Sequence, residues 1–184
     1  TDAAIRLLQT EEPVRLHGYS PTLGIPSVKE KIAASLNRRF GMNYTAGHIF
    51  PASGCAGAVA HALRAVTKPG DKVLVQAPFF PEYIPYINDT GAQIEIIPAR
   101  FEDFQINFEA LEQMLQPGAA AILINSPNNP SGVAYTGETL EKLSSLLAAK
   151  SKELGYNLFL ISDEPYREIA FGGREIPYPA RFYP

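Results

Sequence analysis

The sequence predicts an α/β fold in three layers, helix–sheet–helix, around a mostly parallel sheet. Three observations lead there. Apolar runs of strand length, in "KVLVQAP", "AAAILINSP" and "NLFLISD", alternate along the chain with segments whose apolar residues recur every three or four positions. The runs are apolar on successive residues, as in parallel strands covered on both faces. No hairpin signal separates two of them, so each strand is reached by a crossover, and crossovers layer helices on the sheet.

The elements follow in order. After a short leader, Pro26 and Ser27 open a helix in which Val28, Ile32, Leu36 and Phe40 recur every four residues, and Gly41 closes it. "HIFPASG" reads as a short strand and a turn into the helix "CAGAVAHALRAVT", whose stripe is Val59, Ala62, Leu63 and Val66. "KPGD" turns the chain into the strand "KVLVQAP", and "AQIEIIPAR" is the next strand. Asn107 caps a short helix, "NFEALEQML"; "AAAILINSP" is a strand; Thr136 caps a long helix ending near Leu154 and Gly155. The final strand, Leu158 to Ile161, reads as buried and ends on two acids, Asp163 and Glu164. A buried carboxylate is costly unless a cation meets it, so the sequence asks for one at Asp163. Residues 1–47 are expected to lead into a domain formed by residues 48–184.

Composition narrows the function. The 184 residues are 46% hydrophobic and 19% charged, with a formal net charge of -3 and no block of like charges. That charge pattern gives no electrostatic footprint for nucleic acid or an anionic membrane. No apolar stretch approaches the roughly 20 residues that span a bilayer. A single cysteine, Cys55, excludes an internal disulfide and fits a reducing compartment, so the cytoplasm is expected. The start at Thr1 and the stop at "PARFYP" read as those of a fragment.

In open parallel sheets, ligands sit beyond the carboxyl ends of the strands. The loops there are "ASGCAG", "APFFPEY", "NSPNNPSG" and "SDEPY". The first hands a strand to a helix, where free backbone N–H groups suit a phosphate; a plain glycine turn is the alternative. Ser53-x-Cys55-x-Gly57 also resembles a nucleophile elbow, with a thiol of lowered pKa at a helix N-terminus. Its partner histidine is missing nearby, because His61 lies six residues on, about 240° around the helix. Phe80 suits stacking on a flat ring, while Phe79 suits the core. Asn128, Asn129 and Pro130 form either a turn or, through Asn129, an amide donor to that ring. Tyr166 reaches the same region if Pro165 bends the chain back, or else is a core phenol. The spacing of His17, His48 and His61 matches no metal pattern.

Taken together, these four loops, in their order and spacing from Gly18 to about Phe171, resemble the class I/II aminotransferases, pyridoxal-phosphate enzymes of fold type I. "GYSPTLGIPSVKEKIA" resembles the family's opening, "PASGCAGAVAHALRAVTKPGDKVLVQAPFFPEY" its glycine-turn and Pro-Tyr-x-x-x-Tyr block, "NSPNNPSG" its Asn-Pro-x-Asn-Pro-Thr-Gly box, and "SDEPYREIAF" its Asp-Glu-x-Tyr box. The resemblance implies a truncated large domain of the pyridoxal-phosphate transferase fold and an aminotransferase that moves an amino group from an amino acid to a 2-oxo acid. A carbon–sulfur β-lyase on the same fold, or the ligand-sensing domain of a transcription regulator, are the alternatives. It further implies that Asp163 holds the protonated pyridine nitrogen, an ion pair worth about 4 kcal/mol at 4 Å and an effective dielectric near 20. Tyr166 and Asn129 would bond the ring's phenolic oxygen, with Phe80 on one ring face and Pro165 on the other. Gly54, Cys55 and Ala56 would cradle the phosphate through backbone N–H groups. Tyr19 would reach the phosphate of a neighbouring subunit, hence a homodimer.

The family's Ser-x-Ser-Lys box does not occur, so the Schiff-base lysine is expected beyond Pro184 and no catalytic residue within the chain. Lys142, Lys150 and Lys152 fall on the long helix instead. The same resemblance implies that two later strands insert between the first strand, near His48 to Ala52, and the strand ending at Asn125. The 184 residues alone are therefore expected to be inactive and prone to associate through open edges.

Overall fold

The computed structural model describes residues 1–183. They form two units, Thr1–Pro51 and the residues from Ala52 onward. The first holds helices α1 (Asp2–Thr10), α2 (Pro13–His17) and α3 (Pro26–Phe40), then one 3-10 turn, Ala46–His48. In α3, Pro26 sits in the first turn and Gly41 ends the helix at φ 66, a left-handed conformation that suits glycine. Asn37 pins the chain beyond the helix, donating to Tyr44 O at 2.8 Å and accepting from Tyr44 N at 2.7 Å. The residues before Gly18, expected only as a short leader, hold α1 and α2. Neither has a side-chain cap or a buried residue.

The expected strand at "HIFPASG" is absent among the described residues. A 3-10 turn takes its start, closed by Thr45 N donating to His48 Nδ1 at 3.0 Å, and Ile49 continues in extended backbone. Extended residues become a strand only when a neighbouring ladder pairs them, and the four strands of the described sheet pair with one another.

The second unit is a parallel sheet of β1 (Lys72–Gln76), β2 (Gln93–Ile97), β3 (Ala119–Asn125) and β4 (Phe159–Asp163), in the order β2-β1-β3-β4. Helices α4 (Gly54–Val66), α5 (Tyr83–Asn88), α6 (Phe108–Met114) and α7 (Gly137–Leu154) cover it. Alternation along the strands splits the core. Val73, Val75, Ala121 and Leu123 pack with Val59 and Leu63 of α4 and with Tyr83 and Ile87 of α5. Leu74, Ile122 and Ile124 pack with Leu111 of α6 and with Leu140, Leu143 and Leu147 of α7. Each of the valine, leucine and isoleucine side chains contributes about 1.5–3 kcal/mol when fully buried. The three-layer expectation therefore stands, as do the caps: Asn107 Oδ1 accepts from Ala110 N at 3.2 Å, and Thr136 Oγ1 from Thr139 N at 3.1 Å.

One expectation about the sheet needs correction. The neighbour of β3 at Asn125 is β4, with Asn125 opposite Asp163. Within the described sheet β4 is an edge strand and only half-buried, with Phe159 43% exposed, where the apolar run predicts a covered one. The short helix α5 is an addition to the expected elements. Pro85 within "PEYIP" argues for a loop, yet proline costs little in a first turn, whose N–H groups lack partners anyway. Past β4, Arg167 ties the chain down: its Nε donates to Glu164 Oε2 at 2.7 Å and its Nη atoms to the carbonyls of Ile176, at 2.6 Å, and Pro177, at 3.0 Å.

Candidate active site

The tips of β1, β3 and β4 and the first turn of α4 surround a cavity of about 230 Å³. Cys55, Ala56, Phe80, Asn129, Asp163, Pro165 and Tyr166 all line it. Gly54 opens α4 at φ 74; a β-carbon there would meet open space, so the backbone angle rather than room calls for glycine. Tyr19 belongs to the other unit and is fully exposed.

Asp163 is the centre of the arrangement. It is the last residue of β4 and keeps only 8% of its surface exposed. The groups that meet it among the described residues are two neutral donors rather than a cation. Tyr83 Oη donates to Oδ2 at 2.5 Å, and Cys55 Sγ donates to Oδ1 at 2.7 Å. Burial first, then the hydrogen bond and negative charge of Asp163, push the Cys55 thiol up to about 11. The same causes in the same order push the Tyr83 phenol far above its ordinary value. Both groups therefore stay protonated at neutral pH and act as donors. The thiol of lowered pKa that a nucleophile elbow needs is thus overturned: desolvation and a carboxylate at 2.7 Å outweigh the helix N-terminus.

Tyr83 and Asn125 are the functional residues that sequence reasoning missed. Tyr83 is 1% exposed, and its ring packs edge-on against Phe80, with centroids 5.7 Å apart at 82°. One aromatic pair thus fixes both the wall of the cavity and the donor beneath Asp163. Its signal was its place three residues past Phe80 in an aromatic loop. Asn125 ends β3, donates through Nδ2 to Asp163 O at 2.9 Å, and accepts from Asn129 N at 2.6 Å. A polar residue closing an apolar run was the signal there.

The two readings of "NSPNNPSG" are divided between two residues. Asn128 makes the turn, its Oδ1 accepting from Ser131 N at 3.1 Å and Ser131 Oγ at 2.8 Å. Asn129 is left to face the cavity, where its Nδ2 lies 3.4 Å from Tyr166 Oη. The cavity accordingly has a carboxylate at one end, an amide and a phenol at another, and Phe80 and Pro165 in its wall. That donor set suits a flat ring with a cationic N–H on one edge and an anionic oxygen on another. The lining residues include no lysine. Lys142 instead lies over the Phe108 ring at 4.4 Å, and Lys150 pairs with Glu153 at 2.9 Å.

The chain is similar to known proteins in sequence and in fold. The sequence model of the family "Aminotransferase class I and II" matches residues 1–182. Aspartate aminotransferase of Thermotoga maritima is 33% identical over 171 residues, covering 92% of this chain and 43% of that protein. A probable N-acetyl-LL-diaminopimelate aminotransferase of Bacillus subtilis is 29% identical over 154 residues, covering 83% of this chain and 38% of its own. Among solved structures, an amino transferase of Eubacterium rectale superposes with a TM-score of 0.96 at 40% identity, over 99% of this chain and 46% of that one. Aspartate aminotransferase of Thermus thermophilus superposes with a TM-score of 0.86 at 29% identity, over 100% of this chain and 45% of its own. The chain thus spans less than half the length of these relatives.

Proposed function

Because this chain belongs to the aminotransferase class I and II family, we propose that the full-length protein is a pyridoxal-phosphate-dependent aminotransferase, moving an amino group from an amino acid to a 2-oxo acid. The observation that carries this reading is Asp163, a mostly buried carboxylate aimed into the cavity from a strand tip and held from below by Tyr83. Pyridoxal phosphate, when bound, supplies an electron sink for the carbanion that forms when an amino acid loses its α-proton. In this proposal Asp163 keeps the ring nitrogen protonated, which is what makes the ring an effective sink. Asn129 and Tyr166 donate to the ring's phenolic oxygen, and Phe80 and Pro165 hold the ring flat between them. The backbone N–H groups of Gly54, Cys55 and Ala56 cradle the phosphate at the start of α4.

Several finer assignments rest on the same reading. Tyr19, fully exposed on its own unit, reaches the phosphate of a second subunit, which makes the active form a homodimer. Residues 48–184 belong to the cofactor-binding domain, with residues 1–47 leading into it. The lysine that anchors the cofactor lies outside these residues. The cytoplasm is the proposed compartment, on the ground of the single cysteine; no helix among the described residues is long and apolar enough to cross a membrane. The test is to supply the full-length protein with single amino acids and 2-oxoglutarate and to follow glutamate. Glutamate formed in step with the donor's 2-oxo acid supports the proposal. Ammonia and pyruvate from cystathionine, without amino transfer, would point to a β-lyase and sink it.

A further inference from the structure

Both oxygens of Asp163 already have donors, and the two donors are unequal. Tyr83 is 1% exposed, is locked edge-on against Phe80, and belongs to the core beneath β1 and β3. It cannot withdraw without opening that core. Cys55 is exposed as a residue, with only its thiol partly desolvated where it turns in to Asp163; it stands in the first turn of α4 and carries that thiol on a side chain with one rotatable carbon–carbon bond. Turning that bond frees Oδ1, at a position outside the buried core. A thiol is also a weak donor, whereas a cationic ring N–H forms a charge-assisted bond about twice as strong as a neutral one.

On the reading of this cavity as a pyridoxal-phosphate site, we infer that the Cys55 thiol is a stand-in for the cofactor's ring N–H. It caps Asp163 Oδ1, 2.7 Å away, until the ring nitrogen takes that oxygen, and so it competes with the cofactor. Tyr83 holds Oδ2 throughout and fixes the carboxylate in the orientation that both donors need. The device keeps a mostly buried carboxylate satisfied before the cofactor arrives, since an uncapped oxygen there carries a desolvation cost. A carboxylate offers about four acceptor positions. The rival arrangement therefore leaves Cys55 in place while the ring nitrogen uses a second lone pair.

The two arrangements separate in one experiment on the full-length protein. Pyridoxal phosphate is titrated by absorbance into the unmodified protein and into Cys55→Ala and Cys55→Ser, none of which alters the backbone N–H at that position. Displacement predicts that alanine, which offers no competing donor, tightens cofactor binding about three- to tenfold. Serine, a better donor than the thiol, weakens it relative to the unmodified protein. Infrared difference spectra, with Cys55→Ala as the blank, should show the thiol S–H stretch moving to higher frequency when pyridoxal phosphate is added. An affinity order other than alanine, cysteine, serine, or an S–H band that stays where it was, overturns the stand-in. A protein that takes up no pyridoxal phosphate in any form overturns the reading of the cavity itself.

Discussion

Replacing Asp163 by asparagine should make Cys55 easier to ionise, and the size of the effect follows from the geometry. In the folded chain the thiol titrates at about 11 rather than at its ordinary 9.0, through burial first and the hydrogen bond and charge of Asp163 next. At pH 8 a thiol of pKa 9 is about 9% thiolate, and one of pKa 11 about 0.1%, a loss of roughly ninetyfold. Part of this returns, because a more basic thiolate is intrinsically the better nucleophile. With a Brønsted coefficient of about 0.4–0.5, two units restore roughly six- to tenfold. Cys55 should therefore react with an aromatic disulfide reagent about tenfold more slowly than an unperturbed thiol, with the midpoint of its pH–rate profile near 11. The assay is clean on this chain, which has one cysteine, and the urea-unfolded chain supplies the reference. Asp163→Asn removes the carboxylate's charge and leaves the burial, so the midpoint should fall but remain above 9.0. A folded chain whose midpoint lies at or below 9.0 would refute the reasoning, since the helix N-terminus would then dominate Cys55.

Other expectations follow from single contacts. In the full-length protein, Asp163→Asn should cut turnover by orders of magnitude while some pyridoxal phosphate stays bound; turnover equal to the parent's would make the carboxylate structural. Tyr83→Phe keeps the ring against Phe80 but loses the donor to Asp163 Oδ2, at about 1.5–3 kcal/mol of stability by urea titration. Because the phenol's pKa is raised on folding, that contribution is fully present below the ordinary value of 10.0, so the loss should be the same at pH 6 and pH 9. Thr136→Ala removes the cap of α7 and should cost about 1 kcal/mol, and Thr136→Ser should recover most of it. Gly54→Ala forces a side chain to φ 74 and should cost about 1–2 kcal/mol although nothing crowds the position; an alanine variant as stable as the parent would mean the turn relaxes.

The sequence by itself determined the layered α/β order, the caps at Asn107 and Thr136, the left-handed helix ends at Gly41 and Gly155, and the four loops at the strand tips. Each of these is written in local chemistry: apolar spacing, a side-chain oxygen beside free N–H groups, a residue without a β-carbon. The tertiary structure decided what no local pattern holds. "HIFPASG" is not among the strands of the described sheet, while "NLFLISD" is a strand but half-exposed, because pairing and burial depend on partners distant in the chain. Cys55 and Asp163 are 108 residues apart, and Tyr83 and Asp163 80 apart; only the parallel register sets all three around one carboxylate. The sequence could show that Asp163 needed a partner. That its partners in this chain are a thiol and a phenol, each held protonated by burial and by the carboxylate it caps, is a property of the assembled sheet, because desolvation and charge proximity exist only once the strands have come together.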